Sequence, residues 1–314
     1  MSDGYIYNDE FISEDPKVVA GFYDHFSSRE DLIAWMTERP EGRRDLVEVP
    51  GDPKIVVVIP TTNARGSLAA HCRAMFSGHH IMFVDSHGRD PLFNLARSVN
   101  FGVKSALQLN PDWIVVTGDD VIEVDPFAVL AGALGDLNPH KTSLVIPVPF
   151  SSYHSVESSL VKFRFWAPQI LGLRSRTMFR FYQIANKFGA KFQVVRNCDI
   201  GTGYRKLLSH LLVQTAMSFV DTVSFQVYSA QQILRQNGVL YDETYITESE
   251  ESDLAIRLHT SGAGIHQVSF RVSEGVGTTL GISAARTLRS LASRAYMNSK
   301  IDRGLLKIPS VTAR

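Results

Sequence analysis

Two short runs constrain this chain more than anything else in it: residues 55–59 (IVVVI), closed by Pro60, and residues 113–117 (WIVVT), stopped by Gly118, Asp119 and Asp120. Both are apolar at nearly every position. A strand formed there buries both of its faces, as strands do in the middle of a parallel sheet. A third run, 80–84 (HIMFV), ends on Asp85. Helical spacing fills the gaps, over 66–76, 92–109 and 125–134, and a further strand is expected at 143–148. Strand alternating with helix in this way predicts an α/β fold, a mostly parallel sheet with helices on both faces.

Three of these strands end in polar residues: Thr61, Thr62 and Asn63; Asp85 and Ser86; Asp119 and Asp120. Open α/β sheets bind ligands beyond the carboxyl ends of their strands. One crevice lined by these residues is therefore expected.

The flanks differ from this core. Residues 1–53 carry 13 Asp and Glu against 5 Lys and Arg. They read as an extension, with one helix over 28–39 capped by Ser28 and reinforced by Asp31. Past residue 148 the alternation breaks. Residues 160–206 hold 10 basic residues and one acid, Asp199, interleaved with aromatics. A strand at 221–228, a helix at 252–259, a turn at 261–264 and a strand at 265–272 follow. A basic helical tail begins at 283, with seven basic residues and one acid over 284–314. The domain reading is an extension 1–53, a main domain 54–282 with halves 54–150 and 151–282, and the tail 283–314.

Formal net charge is zero, which argues against nucleic acid as a partner of the whole chain. The basic aromatic stretch suits an acceptor site, an anionic membrane surface or a plain solvated face. No run of 18 apolar residues exists, and the acidic N-terminus lacks an apolar segment, so a cytoplasmic protein is expected, with peripheral membrane contact through 160–206 and 284–314. The two cysteines, Cys72 and Cys198, read as reduced. His71, Cys72, His79, His80 and His87 fit no zinc spacing.

Besides Asp85, whose carboxylate can accept a hydrogen bond from a base or ribose or simply cap the next turn, two constellations carry chemistry. Adjacent carboxylates at a strand end, Asp119 and Asp120, repel each other unless something positive sits beside them. Mg²⁺ or Mn²⁺ resolves this and also bridges a diphosphate; a solvated turn is the plainer alternative. The second is a set of six acids, Asp242, Glu243, Glu248, Glu250, Glu251 and Asp253, leading into a helix. Helix N-termini favour acids in any protein, but a carboxylate facing a donor is also what a general base requires.

Taken in order, these segments resemble glycosyltransferase family 2, the inverting enzymes of GT-A fold. The resemblance rests on 54–63 (KIVVVIPTTN), 83–86 (FVDS), Asn100-Phe101-Gly102, 112–125 (DWIVVTGDDVIEVD) and 241–258 (YDETYITESEESDLAIRL). It implies a GT-A-like, Rossmann-like sheet and transfer of a sugar from a UDP or GDP donor to a hydroxyl acceptor, helped by a divalent cation. It makes Asp120 the principal metal ligand with Asp119 beside it. Pro60, Thr61, Asn63 and Asp85 line the nucleoside pocket. Arg97, Asn100 and Lys104 face the base or diphosphate. Glu251 is the base, with Glu250 as its neighbour and alternative. Three departures stand out: Gly118 where an acid is common, Glu at the base position instead of Asp, and Glu274 where a metal-binding His is common. A sugar-phosphate nucleotidyltransferase and a non-catalytic binding protein on a decayed transferase fold are the competing readings.

Overall fold

The computed structural model describes residues 6–147, 151–155, 218–222, 225–274 and 284–306. The basic aromatic stretch 160–206, Cys198 and residues 307–314 lie outside them.

The apolar runs form the centre of a seven-stranded sheet. Strand β2 (Asp52–Thr61) lies between β3 (His79–Asp85) and β4 (Trp113–Thr117), parallel to both. With β1 (Asp45–Val49), β6 (Thr142–Pro147), β9 (Phe225–Ser229) and β10 (Gly264–Val268), the order is β1-β3-β2-β4-β9-β6-β10. Strands β1 and β9 run against their neighbours. The other five share one direction, so their carboxyl ends lie together. This is the mixed α/β sheet flanked by helices that the alternation predicts.

Each sheet face has its own core. Helices α4 (Ser67–Met75) and α6 (Phe127–Gly135) pack on Val57, Ile59, Phe83 and Val115. Helices α5 (Leu95–Leu107), α7 (Ala230–Arg235) and α8 (Glu250–Thr260) pack on Val56, Val58, Val84 and Ile114. Neighbouring strand residues thus alternate between two apolar layers, which is why no polar position interrupts 55–59. Gly102 lets α5 come close to the sheet: a Cβ there would stand 2.4 Å from a Val58 methyl and 2.8 Å from a Val84 methyl.

Three features depart from the sequence reading. First, the extension contributes to the sheet, because β1 pairs with β3 in the register Asp45 opposite Asp85. Its helices α1 (Ile6–Phe11), α2 (Pro16–Phe22) and α3 (Arg29–Glu38) bury Phe22, Leu32, Trp35 and Met36 against Leu288, Leu291 and Ala295 of the C-terminal helix α9 (Ala284–Asp302). The α3 cap is as expected: the Ser28 side chain accepts the Asp31 N–H. Second, the strand expected at 221–228 divides into β8 (Ser218–Thr222), which pairs with β7 (Ser151–Ser155), and β9 in the main sheet. Third, the strand expected at 265–272 leaves the sheet after Val268. Arg271 and Asp125 exchange backbone and side-chain hydrogen bonds, and β11 (Val272–Glu274) pairs instead with β5 (Val121–Glu123). Among the described residues, no helix is long and apolar enough to cross a membrane.

Candidate functional site

The chain leaves β2 toward β3 on one side, and leaves β4 toward β6 on the other. Strands β2 and β4 are neighbours, so their outgoing loops part here, at the topological switch point where α/β sheets bind ligands. Thr61 and Asp119 span it. The Thr61 hydroxyl donates to Asp119 Oδ2 at 2.7 Å and accepts the Asn63 N–H at 3.1 Å. Pro60 lies beyond the last β2–β4 pair, Val58 opposite Val116, where its missing N–H costs no ladder bond.

The two adjacent aspartates diverge. Asp119 is buried and turned into the protein, with its carbonyl accepting the Cys72 thiol at 3.5 Å. Asp120 is half-buried, and its carboxylate folds over Gly118, where a Cβ would stand 2.7 Å from Oδ1. A side chain at position 118 would displace the Asp120 carboxylate from this pose. Among the described residues no ion pair ends on Asp120. Burial, followed by the charges of Asp119 and Asp120, pushes the Cys72 thiol up to about 12, against a smaller opposing effect of Arg73. Cys72 is thus a neutral thiol behind an electronegative strand end.

Glu274 comes to this point through the backbone: in the β5–β11 pair it is the partner of Val121, the residue after Asp120. The described residues contain no cluster of three His, Cys, Asp or Glu side chains able to hold a metal. Mg²⁺ seldom requires one, since one or two carboxylates plus substrate phosphates suffice.

Other expected residues do different things. Both oxygens of buried Asp85 accept backbone N–H groups, from Ala64 at 2.9 Å and His87 at 2.8 Å, so it fixes the loops after β2 and β3. Asn63 Oδ1 accepts the Arg65 N–H in a local turn. Buried Asn100 is fully used: Oδ1 accepts from the Leu240 and Tyr241 N–H, and Nδ2 donates to the Tyr241 carbonyl and Glu243 Oε1. It staples α5 to the loop segment 240–243. Arg97 donates to the carbonyls of Arg39 and Pro40 behind α3, at 2.7 and 3.2 Å, and so does not face the crevice. Lys104 is exposed in the last turn of α5, at the amino end of the sheet, away from the strand ends. Both were expected there from the family resemblance, and sequence position on α5 does not tell which way a side chain turns.

The proposed base region reaches the same end of the sheet. Glu250, buried, and Glu251, half-buried, form the first turn of α8. Burial first, then Tyr228 and Glu251, raise the Tyr241 hydroxyl well above its ordinary range. That hydroxyl donates to Gln226, which pairs with Val116 near the end of β4. Just before α8, Glu248 and Ser249 have φ of 59° and 74°. Non-glycine residues in this region cost roughly 1–2 kcal/mol each, and such strain concentrates at functional sites.

A second acid cluster was not foreseen. Asp253 is fully buried and meets Lys300 at 2.6 Å, Arg257 at 2.7 Å and the Tyr245 hydroxyl at 2.9 Å. Asp242 meets the same Lys300 at 3.0 Å and the Tyr296 hydroxyl at 2.9 Å. Burial alone would raise the Asp242 carboxyl, but Lys300, the Thr244 N–H and Tyr296 outweigh it and hold it below its ordinary value. Beside this cluster a cavity of about 500 Å³ is lined by Gln236, Tyr241, Asp242, Arg257, Ser261 and Lys300. It lies beside the C-terminal end of α8 and the turn after α7, and none of Thr61, Asp119 or Asp120 lines it. The sequence signal for this cluster was present only in part: Asp242 and Asp253 were visible as acids, but their cation comes from 47 residues beyond Asp253, in the tail.

No protein-family model matches this chain, and no curated protein matches it.

Proposed function

We propose that this protein is a metal-dependent glycosyltransferase of GT-A type, moving a sugar from a UDP or GDP donor to a hydroxyl acceptor with inversion. The observation that carries the reading is the pose of Asp119 and Asp120 at the β2–β4 switch point. One carboxylate is anchored by Thr61; the other faces out with no ion pair among the described residues. Asp120 would hold the divalent cation; Glu274, the backbone partner of Val121, is the second candidate ligand. When bound, such an ion supplies positive charge to the diphosphate.

The chain's own residues have distinct parts in this scheme. Glu251, the accessible member of the Glu250–Glu251 pair, accepts the proton of the acceptor hydroxyl. The acceptor oxygen forms its bond to the anomeric carbon from the side opposite the nucleotide, and the bond to the diphosphate breaks with its electron pair. Asp85 and Asn63 shape the nucleoside pocket by fixing its backbone.

The test is the thermal midpoint with UDP, GDP and their sugar conjugates, each with and without Mn²⁺, followed by release of nucleoside diphosphate. A ligand that binds only the native state raises the midpoint. A Mn²⁺-dependent rise followed by release supports transfer. Binding with no release from any donor would instead indicate binding without transfer.

A further inference from the structure

The turn that introduces α8 is held chiefly by α9, a helix lying past the domain boundary expected at 282/283. Ser293, fully buried, accepts the Ile246 and Thr247 N–H groups on its Oγ at 3.2 and 3.3 Å. Arg286 and Arg294 flank the Glu248 carboxylate at 3.7 and 3.5 Å. Tyr296 and Lys300 engage Asp242, and Lys300 also reaches Asp253 within α8. Residues 286, 293, 296 and 300 recur at helical spacing, so they form one stripe along α9. The helix is itself anchored from behind: the Tyr23 hydroxyl donates to the Leu288 carbonyl at 2.6 Å, and Arg289 donates to the Ser13 carbonyl at 2.8 Å.

This stripe meets the one place where two successive non-glycine residues, Glu248 and Ser249, have positive φ among the described residues, apart from turns involving glycine. Such a backbone persists only where its surroundings over-determine it. Here the surroundings are the Ser293 hydroxyl, two guanidinium groups and the Asp253 N–H, which donates to the Ser249 carbonyl at 2.9 Å. The residues that follow at once are Glu250 and Glu251.

We infer that α9 is the positioning element of the acceptor base: Arg286, Ser293 and Arg294 fix the turn 246–249 and so aim Glu251. The inference rests on the transferase reading. Arg286 and Arg294 then serve as positioning residues that do not touch substrate.

The experiment compares wild type with the double variant Arg286→Gln/Arg294→Gln, its Lys counterpart Arg286→Lys/Arg294→Lys, and Ser293→Ala. Both arginines are partly exposed, so the double variant is expected to fold even if Ser293→Ala does not. UDP- and GDP-sugars with Mn²⁺ are the probes. The Gln variant is expected to keep its nucleotide-induced thermal shift and its donor KM within about twofold. Its kcat is expected to fall about tenfold or more through misplacement of the base. The acid limb of its pH–kcat profile should shift, amide exchange over 246–251 should quicken, and the Lys variant should recover most of kcat. An active wild type whose Gln variant keeps kcat, pH profile and amide protection overturns the positioning role alone. A wild type that releases no nucleoside diphosphate from any donor overturns the transferase reading beneath it.

Discussion

Asp253 and Asp120 are both carboxylates of a half-hidden polar region, yet their surroundings differ. Asp253 is fully buried between Lys300 and Arg257, at 2.6 and 2.7 Å. Asp120 stands half-buried at the end of β4, beside a second carboxylate, with no ion pair among the described residues. The chain supplies cations where an acid holds elements together, here α8 to α9. It leaves the strand-end acid open. A buried pair is costly to break because the survivor is left charged without its partner, whereas an open carboxylate beside another loses nothing when neutralised.

The largest effect should come from the closed cluster. Lys300→Met removes the cation that Asp253 and Asp242 share, leaving Arg257 on Asp253 and, among the described residues, no cation on Asp242, and urea unfolding should show a loss of about 3–5 kcal/mol. A loss under about 1 kcal/mol would mean that Lys300 is not the keystone of the cluster. Next in size, Gly102→Ala forces a methyl against Val58 and Val84 and should cost about 1–3 kcal/mol in the same assay. Because α5 carries Asn100, this change should also loosen the segment 240–243, read by amide exchange.

The pH dependence reports on the closed cluster. The Asp242 carboxyl is held below its ordinary value in the folded protein. Its contribution is therefore present above the unfolded carboxyl value of about 4 and is lost as pH falls through the folded one. The urea midpoint should drop below pH about 4, and less steeply in Lys300→Met. A Lys300→Met chain with the same slope as wild type would show that Asp242 does not carry this dependence. The smallest effect belongs to the open carboxylate: Asp120→Asn should leave stability unchanged within about 0.5 kcal/mol, or raise it. A large loss there would place Asp120 with the structural acids.

The sequence made the inner sheet legible because strands buried on both faces leave an uninterrupted apolar run, as at 55–59 and 113–117. Strand β4 occurs with the expected bounds, and the expected helices over 66–76, 92–109 and 125–134 are α4, α5 and α6. The reversed strands β1 and β9 were not legible, since strand direction depends on which neighbour a segment meets, and local composition does not record that. The helices α1 and α2 were missed behind an acidic composition. Yet Asp15-Pro16, an N-cap followed by proline at the first helical position, marks the start of α2, and Val19, Phe22 and Tyr23 mark its buried face. At the site, Thr61, Asp119 and Asp120 were legible because strand ends converge by topology. Arg97 and Lys104 lie elsewhere than the resemblance implies, because matching a position on α5 does not fix the direction its side chain faces.

The open pose of Asp120 is the centre of this account, and one measurement addresses it directly: the Mn²⁺-dependent thermal shift of wild type and Asp120→Ala with UDP and GDP. The account predicts a rise for wild type with one of the two nucleotides, dependent on Mn²⁺, and none for Asp120→Ala at equal stability. An equal Mn²⁺-dependent rise in both proteins, or no rise in wild type with either nucleotide, would contradict it.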